Sequence, residues 1–299
     1  MARLYQTGFE LNSLTADVEI SITSLSGGAA ATISSTTKRS GSYALRLNNS
    51  GANGLAEIDY NFSGGTNGPF YVRTYIYIAS LPSALMTVFG IYNTAQGKIR
   101  LATNGTLELW DNTNKIGSSS PALSLNTWYR LEIRFFNNTG TGKLELQALI
   151  DGVSFAYTTT STHTGNAAYI FLGGADAVTG YDIYYDDVAL NDSTGTRQKS
   201  WPGSGKIIYL RPNAAGGANA WSTQVGGTAG SANNYTRVNE ITPDDATSYN
   251  AAYPAVFNGG DTFKADDSGL SSADAINVVA INVRMANVGG ADATAALRI

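Results

Sequence analysis

The 299-residue sequence contains no cysteine and a single histidine, His163. Disulfide staples and thiolate metal sites are therefore excluded, no transition-metal cluster of the His/Cys kind can be assembled, and the redox compartment stays open. Charged residues make up only 14% of the chain, against about a quarter in ordinary globular domains. The formal net charge of -4 leaves no basic stripe, which argues against nucleic acid as a partner. No apolar run approaches the roughly eighteen residues of a membrane span. Met1-Ala2-Arg3-Leu4-Tyr5 lacks the apolar core of a signal peptide, so the expectation is a soluble chain with no visible secretion signal and no membrane insertion. Apolar residues at helical spacing are missing as well; the period that recurs is two.

What is present is 43% hydrophobic residues and 33 glycines, the composition of an all-β protein with many short loops. The clearest stretch runs from Thr127 to Gly152. Tyr129, Leu131, Ile133 and Phe135 alternate with Arg130, Glu132 and Arg134, and Leu144, Leu146, Ala148 and Ile150 alternate with Lys143, Glu145 and Gln147. Such alternation puts the apolar side chains on one face of each strand, and Asn137-Asn138-Thr139-Gly140-Thr141-Gly142 between them is turn chemistry. Each large side chain buried on that face contributes about 1.5–3 kcal/mol, so the hairpin can anchor a core once a second layer covers it. A slip of one residue would turn the whole apolar set to water, which specifies the register.

The same rhythm predicts strands over 42–48, 56–62, 70–78, 86–92, 98–102, 106–111, around Phe155, 169–173 and 181–190. Strands this short and evenly spaced make a sandwich or jelly roll. In the last of them Ile183 and Tyr185 share one phase while Val188 and Leu190 take the other, which predicts a bulge at Asp186-Asp187. The polar, aperiodic stretch that follows is read as a linker over 193–203, dividing a domain at 1–192 from a smaller β-rich one at 204–299. There, 206–211 reads as a strand, the Ala/Gly/Asn-rich stretch to about 234 as loop, Phe263 as a short strand, and 276–286 as the strongest strand. At the end, Ala295, Leu297 and Ile299 fall on one side. Either the chain is shortened there or another subunit covers its last strand. Leu297 and Ile299, with Trp221 in its Gly/Ala-rich loop, are the candidate interface residues.

Gly8-Phe9-Glu10, Arg39-Ser40-Gly41-Ser42-Tyr43-Ala44-Leu45-Arg46-Leu47, the Thr127–Gly152 stretch and Tyr185-Asp186-Asp187-Val188-Ala189-Leu190 resemble the concanavalin A-like, laminin-G-type jelly roll. The second half carries Trp201-Pro202-Gly203, Leu210-Arg211-Pro212-Asn213-Ala214, Trp221-Ser222, Asn239-Glu240-Ile241-Thr242-Pro243-Asp244-Asp245 and Gly260-Asp261-Thr262-Phe263. These resemble a segment that follows such a domain in tailed-bacteriophage virion proteins. The resemblance implies a non-enzymatic structural protein of the virion, in a tail or fibre appendage or decorating the head. It would be assembled in the host cytoplasm, bind other virion proteins, form a homo-oligomer such as a trimer, and contact host-surface glycans. A phage origin would also account for the missing signal peptide, since virions leave by lysis.

Residues able to do chemistry are few. Glycoside hydrolases of this fold carry Glu-x-Asp-x-x-Glu on one strand; here Glu57-Ile58-Asp59-Tyr60-Asn61-Phe62 begins that pattern, and Phe62 stands where the second carboxylate should be. Glu57, Asp59 and Asn61 are expected to form a solvated strand face. His163 lies in a Thr/Ser-rich loop without a Gly-x-Ser-x-Gly elbow and is expected to be exposed. No cofactor is required. Calcium, which laminin-G-like domains often hold, has Asp182, Asp186 and Asp187 as its candidate ligands, with Asp244 and Asp245 further on. For a glycan, Trp110 is the stacking candidate, because Leu107 and Leu109 take the apolar phase of its strand and leave it beside Glu108. Trp128 and Trp201 read as structural. The rival reading is a depolymerase of capsule or other polysaccharide on the same fold.

Overall fold

The computed structural model describes residues 3–15, 20–94, 96–242, 244, 247–251 and 260–281. The chain divides into two compact units, Met1–Tyr209 and Leu210–Ile299.

The first unit is a sandwich of two antiparallel sheets. One has eight strands, in the spatial order Val153–Ser161, Lys143–Ile150, Trp128–Asn138, Phe70–Ser80, Tyr181–Asp192, Ala44–Asn49 and Ala30–Ser34, with Arg3–Thr7 also paired to Tyr181–Asp192. The other has seven, in the order Lys115–Ile116, Leu107–Trp110, Gln96–Leu101, Met86–Asn93, Ala167–Val178, Gly54–Thr66 and Ser21–Leu25. The expected hairpin pairs Leu131 with Ile150 and Phe135 with Leu146. Its inner residues Leu131, Ile133, Phe135, Leu144, Leu146 and Ala148 are fully buried against Ile91, Ile99, Leu107, Leu109, Ile170 and Leu172 of the facing sheet. Gly97 shows how close the layers come. A Cβ at that position would lie 2.6 Å from Leu146 Cδ2, so only glycine lets the hairpin seat.

The predicted bulge falls where the alternation breaks, with a register shift between Asp186 and Ala189. Asp187 takes a φ of 51° there, a left-handed conformation that Asp tolerates better than most residues. The bulge turns two consecutive carboxylates outward onto the eight-stranded sheet, and what they meet corrects the expected linker. Asp186 accepts the main-chain amides of Arg39 at 2.8 Å and Ser40 at 3.1 Å. Asp187 pairs with Arg39 Nη1 and accepts the Ser40 hydroxyl and the Ile207 amide. Gly203 donates its amide to Glu132 (2.8 Å) and its carbonyl accepts from Arg73 (3.0 Å), while Gly205 spans the Tyr75 hydroxyl and Arg39. Trp201 packs edge-on to Tyr71 at 5.3 Å. The segment read as a spacer is thus a strap bonded across the first unit. A polar sequence without periodicity looks like linker because the charges that satisfy its backbone sit far away in the chain.

In the second unit Pro212–Asn219 pairs with Asp261–Ala265, and Thr223–Val225 pairs with Tyr249–Ala251 beside a short 3-10 helix, Ser231–Arg237. The short strand expected at Phe263 is present. The one expected over 206–211 is not, and a strand occupies 212–219, where a loop was expected. Small residues make that pairing work, since a Cβ on Gly216 would meet Thr262 Oγ1 at 2.3 Å. Residues 276–281 form no strand; Ile276 is 67% and Val279 62% exposed, so their alternation finds no partner among the described residues. Residues 282–299, with the interface candidates Leu297 and Ile299, lie outside the described residues, as does Asp245.

Candidate functional site

The outer face of the seven-stranded sheet carries an unusual set of side chains. Register places Lys115, Trp110, Lys98, Gly90, Phe171 and Asp59 in one line across six strands. A parallel line runs Gln96, Tyr92, Tyr169, Asn61. Tyr92 and Tyr169 stack at 5.1 Å and 24°, and Phe171 meets Tyr92 edge-on at 5.3 Å. Gly90 makes room for that ring, because a Cβ there would lie 2.4 Å from Phe171 Cζ.

Trp110 and Glu108 come together on this face as their alternation predicts. The indole Nε1 donates to Glu108 Oε2 at 2.9 Å, and Lys115 Nζ donates to Oε1 at 2.7 Å. Burial alone would raise the Glu108 carboxyl, yet these donors outweigh it and hold the group below the usual carboxylate range. Arg100 lies over the Trp110 ring with Cζ 5.0 Å from its centroid and donates to Asp176 at 2.8 Å. Tyr92 donates its hydroxyl to Asp59 at 3.1 Å.

Glu57, Asp59 and Asn61 do share this face, and Asn61 is exposed as expected, but the expectation of a solvated surface needs correction for the other two. Glu57 and Asp59 are half-buried. Burial pushes the Glu57 carboxyl up, and the neighbouring charges of Asp59 and Asp176 push the same way. Burial also lowers the Lys98 ammonium, with Arg100 adding to it.

His163 is likewise not a free loop histidine. Its Nδ1 lies 3.2 Å from the buried Asp111 carboxylate and its Nε2 3.3 Å from Thr113 Oγ1. Ser161 donates to the same Asp111 oxygen rather than to the ring, so no Ser–His relay is assembled. Burial would raise Asp111, but the amides of Asn114 and Thr113 and the Ser161 hydroxyl outweigh it and hold the group low.

The calcium candidates are occupied by protein donors. Arg46 grips both oxygens of Asp182 at 2.8 Å, and Asp186 and Asp187 are consumed by the bulge and strap. Among the described residues, no three His, Cys, Asp or Glu side chains are grouped so as to hold a metal ion. Trp221 is half-buried in the second unit, with its amide on Asp261 at 3.0 Å and its carbonyl on Asn234 at 3.0 Å.

Sequence reasoning missed Tyr92, Tyr169, Phe171, Arg100 and Asp176. One signal was there: in 169–172 both phases are apolar or aromatic, which marks a strand with no purely solvent-facing side.

No protein-family model and no curated protein matches the sequence. Among solved structures the chain is similar to the cellulose induced protein Cip1, with a TM-score of 0.50 and 13% identity over 67% of this chain and 99% of that one. The fold is a jelly-roll sandwich. An alginate lyase from a Chlorella virus is similar at a TM-score of 0.44 and 10% identity, covering 58% of this chain and 93% of that one. Domain 4 of an extracellular arabinanase from Geobacillus stearothermophilus, in complex with arabinotriose, is similar at 0.43 and 16%, covering 64% and 92%. At such identities the likeness is one of fold.

Proposed function

We propose that this chain is a non-enzymatic structural protein of a tailed-bacteriophage virion whose jelly-roll unit binds host-surface glycans through the outer face of its seven-stranded sheet. The observation that carries the glycan reading is the division of labour on that face. Arg100 and Lys115 are spent on Asp176 and Glu108, while Trp110, Tyr92 and Tyr169 stay half-exposed. Charges tied to one another hold a surface in shape, and the parts of these rings left half-exposed beside Arg100 and one another offer apolar area against which a sugar ring packs. The virion reading rests on the motifs between Trp201 and Phe263. It implies other virion proteins as partners and a homo-oligomer such as a trimer, with Trp221 as a contact residue.

A glycan array built from host-surface polysaccharides tests the first part. Binding that Trp110→Ala and Tyr169→Ala abolish supports it; silence on the array together with tight binding to purified heads or tails leaves a pure scaffold. Mass spectrometry of purified particles tests the second, and the protein's absence from them would end the virion reading.

One observation favours the rival. Half-buried beside Asp59 and Asp176, the Glu57 carboxyl is pushed up by burial first and by those two charges second, the direction that suits a carboxyl for donating a proton in glycoside chemistry. Release of new sugar ends from capsule or lipopolysaccharide, lost in Glu57→Gln, would make this chain a depolymerase.

A further inference from the structure

The eight-stranded sheet also has an outer face, and the strap covers only part of it. Trp201 sits on Tyr71, Gly203 on Arg73 and Glu132, and Gly205 on Tyr75. These residues mark three successive cross-strand rows. The next row along is Trp128, Tyr77, Tyr184, Arg46, drawn from four adjacent strands in register. None of the strap contacts named above involves that row.

That row forms an aromatic platform of inclined rings, with interplanar angles of 48° for Trp128 and Tyr77 and 88° for Tyr77 and Tyr184. Trp128 and Tyr77 lie 5.4 Å apart and Tyr77 meets Tyr184 edge-on at 5.7 Å. Tyr77 and Trp128 are half-buried, whereas Tyr184 is 8% exposed and forms a floor under Arg46, whose Cζ lies 5.6 Å from its ring centroid. The Tyr77 hydroxyl is held by Asn126 at 3.1 Å. Four strands at the usual inter-strand spacing make the row about 14 Å long, the scale of a short oligosaccharide.

Beside the platform runs a polar row, Ser80, Asp182, Asn48. These residues, with Arg46, Ser50 and Gly180, line a pocket. Its one cation and one anion, Arg46 and Asp182, form a two-point ion pair at 2.8 Å, so the pocket carries no net charge. Rings flanked by amide, hydroxyl and a self-neutralised ion pair suit a ligand rich in hydroxyls and free of charge. A carboxylated or sulfated sugar would have to compete with Asp182 for Arg46.

We propose that this row and pocket form a second glycan-binding site, selective for an uncharged oligosaccharide, on the opposite face of the sandwich from Trp110. It does not depend on the reading of the seven-stranded sheet. A chain with both sites could grip a polysaccharide from two sides or link two strands of it.

The test uses the full chain and neutral hexasaccharides of glucose, galactose and mannose, with uronate-containing hexasaccharides beside them. Expected is binding of at least one neutral probe in wild type and in Trp110→Ala, weakened roughly ten-fold or more in Trp128→Ala and in Asn48→Ala. Asn48→Ala keeps the result readable should loss of the indole unsettle the sheet. With Trp110→Ala as the background in every arm, the proposal is overturned if no neutral probe binds, if uronates bind as well as neutral sugars, or if adding Trp128→Ala or Asn48→Ala leaves the binding unchanged. It also falls if Trp128→Ala lowers the native mass without changing sugar binding, since the row would then be an interface between copies.

Discussion

Replacing Asp187 with Ala removes the post to which the strap is tied. The carboxylate is fully buried and accepts from the Arg39 guanidinium, the Ser40 hydroxyl and the Ile207 amide. Arg39 would keep its bond to the Gly205 carbonyl and its position over the Tyr75 ring, but the hydroxyl and the amide would lose their acceptor. Each orphaned donor costs about 1–3 kcal/mol, and breaking one side of a buried ion pair costs about 3–5 kcal/mol in total. Some of that is returned because Asp186 no longer faces a like charge; burial and Asp187 push its carboxyl well above the usual carboxylate range. The net expectation is a loss near the lower end, about 3 kcal/mol, with Asp187→Asn intermediate because one acceptor oxygen remains. Urea unfolding followed by tryptophan fluorescence measures it, and Trp201 reports directly on the strap. With an m-value of about 3 kcal/mol per M the midpoint falls by roughly 1 M. A shift under about 0.3 M would mean that the strap is not held by this carboxylate, and the reasoning about the buried bracket would fail.

Phe135→Ala empties a fully buried position facing the seven-stranded sheet and should cost about 3–5 kcal/mol in the same assay. Gly90→Ala places a methyl 2.4 Å from Phe171 Cζ and 2.6 Å from the Gly97 carbonyl oxygen; about 1–3 kcal/mol should be lost, together with the Tyr92–Phe171 ring contact as seen in aromatic NMR shifts. Glu57 binds its proton more tightly in the folded state, so its contribution to stability is present below the ordinary carboxylate pKa and lost as pH rises through the raised value. Thermal midpoints should therefore show Glu57→Gln gaining on wild type at neutral pH and matching it in acid, and Asp59→Asn or Asp176→Asn should lower the Glu57 titration seen by carboxyl NMR.

Much of the architecture is legible in the order of the residues. Alternation in 129–135 and 144–150 identified the inward residues because a pleated strand has only two sides, and the broken phase at Val188 located the bulge. The same rule put Trp110 beside Glu108, and Glu57 beside Asp59. It failed in 206–211 and 276–281, where alternating residues have no paired strand, and at 212–219, where Gly and Ala pair without any alternation to announce it.

By itself, then, the sequence determined which residues of each strand turn inward, because that depends on neighbours two positions apart. Only the tertiary structure decided which outward residues meet. Arg46, Tyr77, Trp128 and Tyr184 share a row because burying one continuous core locks four distant strands into a single register. Asp187 holds Ile207 for the same reason, and Glu57 sits near Asp176. Such encounters depend on how the strands are ordered across each sheet, which local periodicity does not encode.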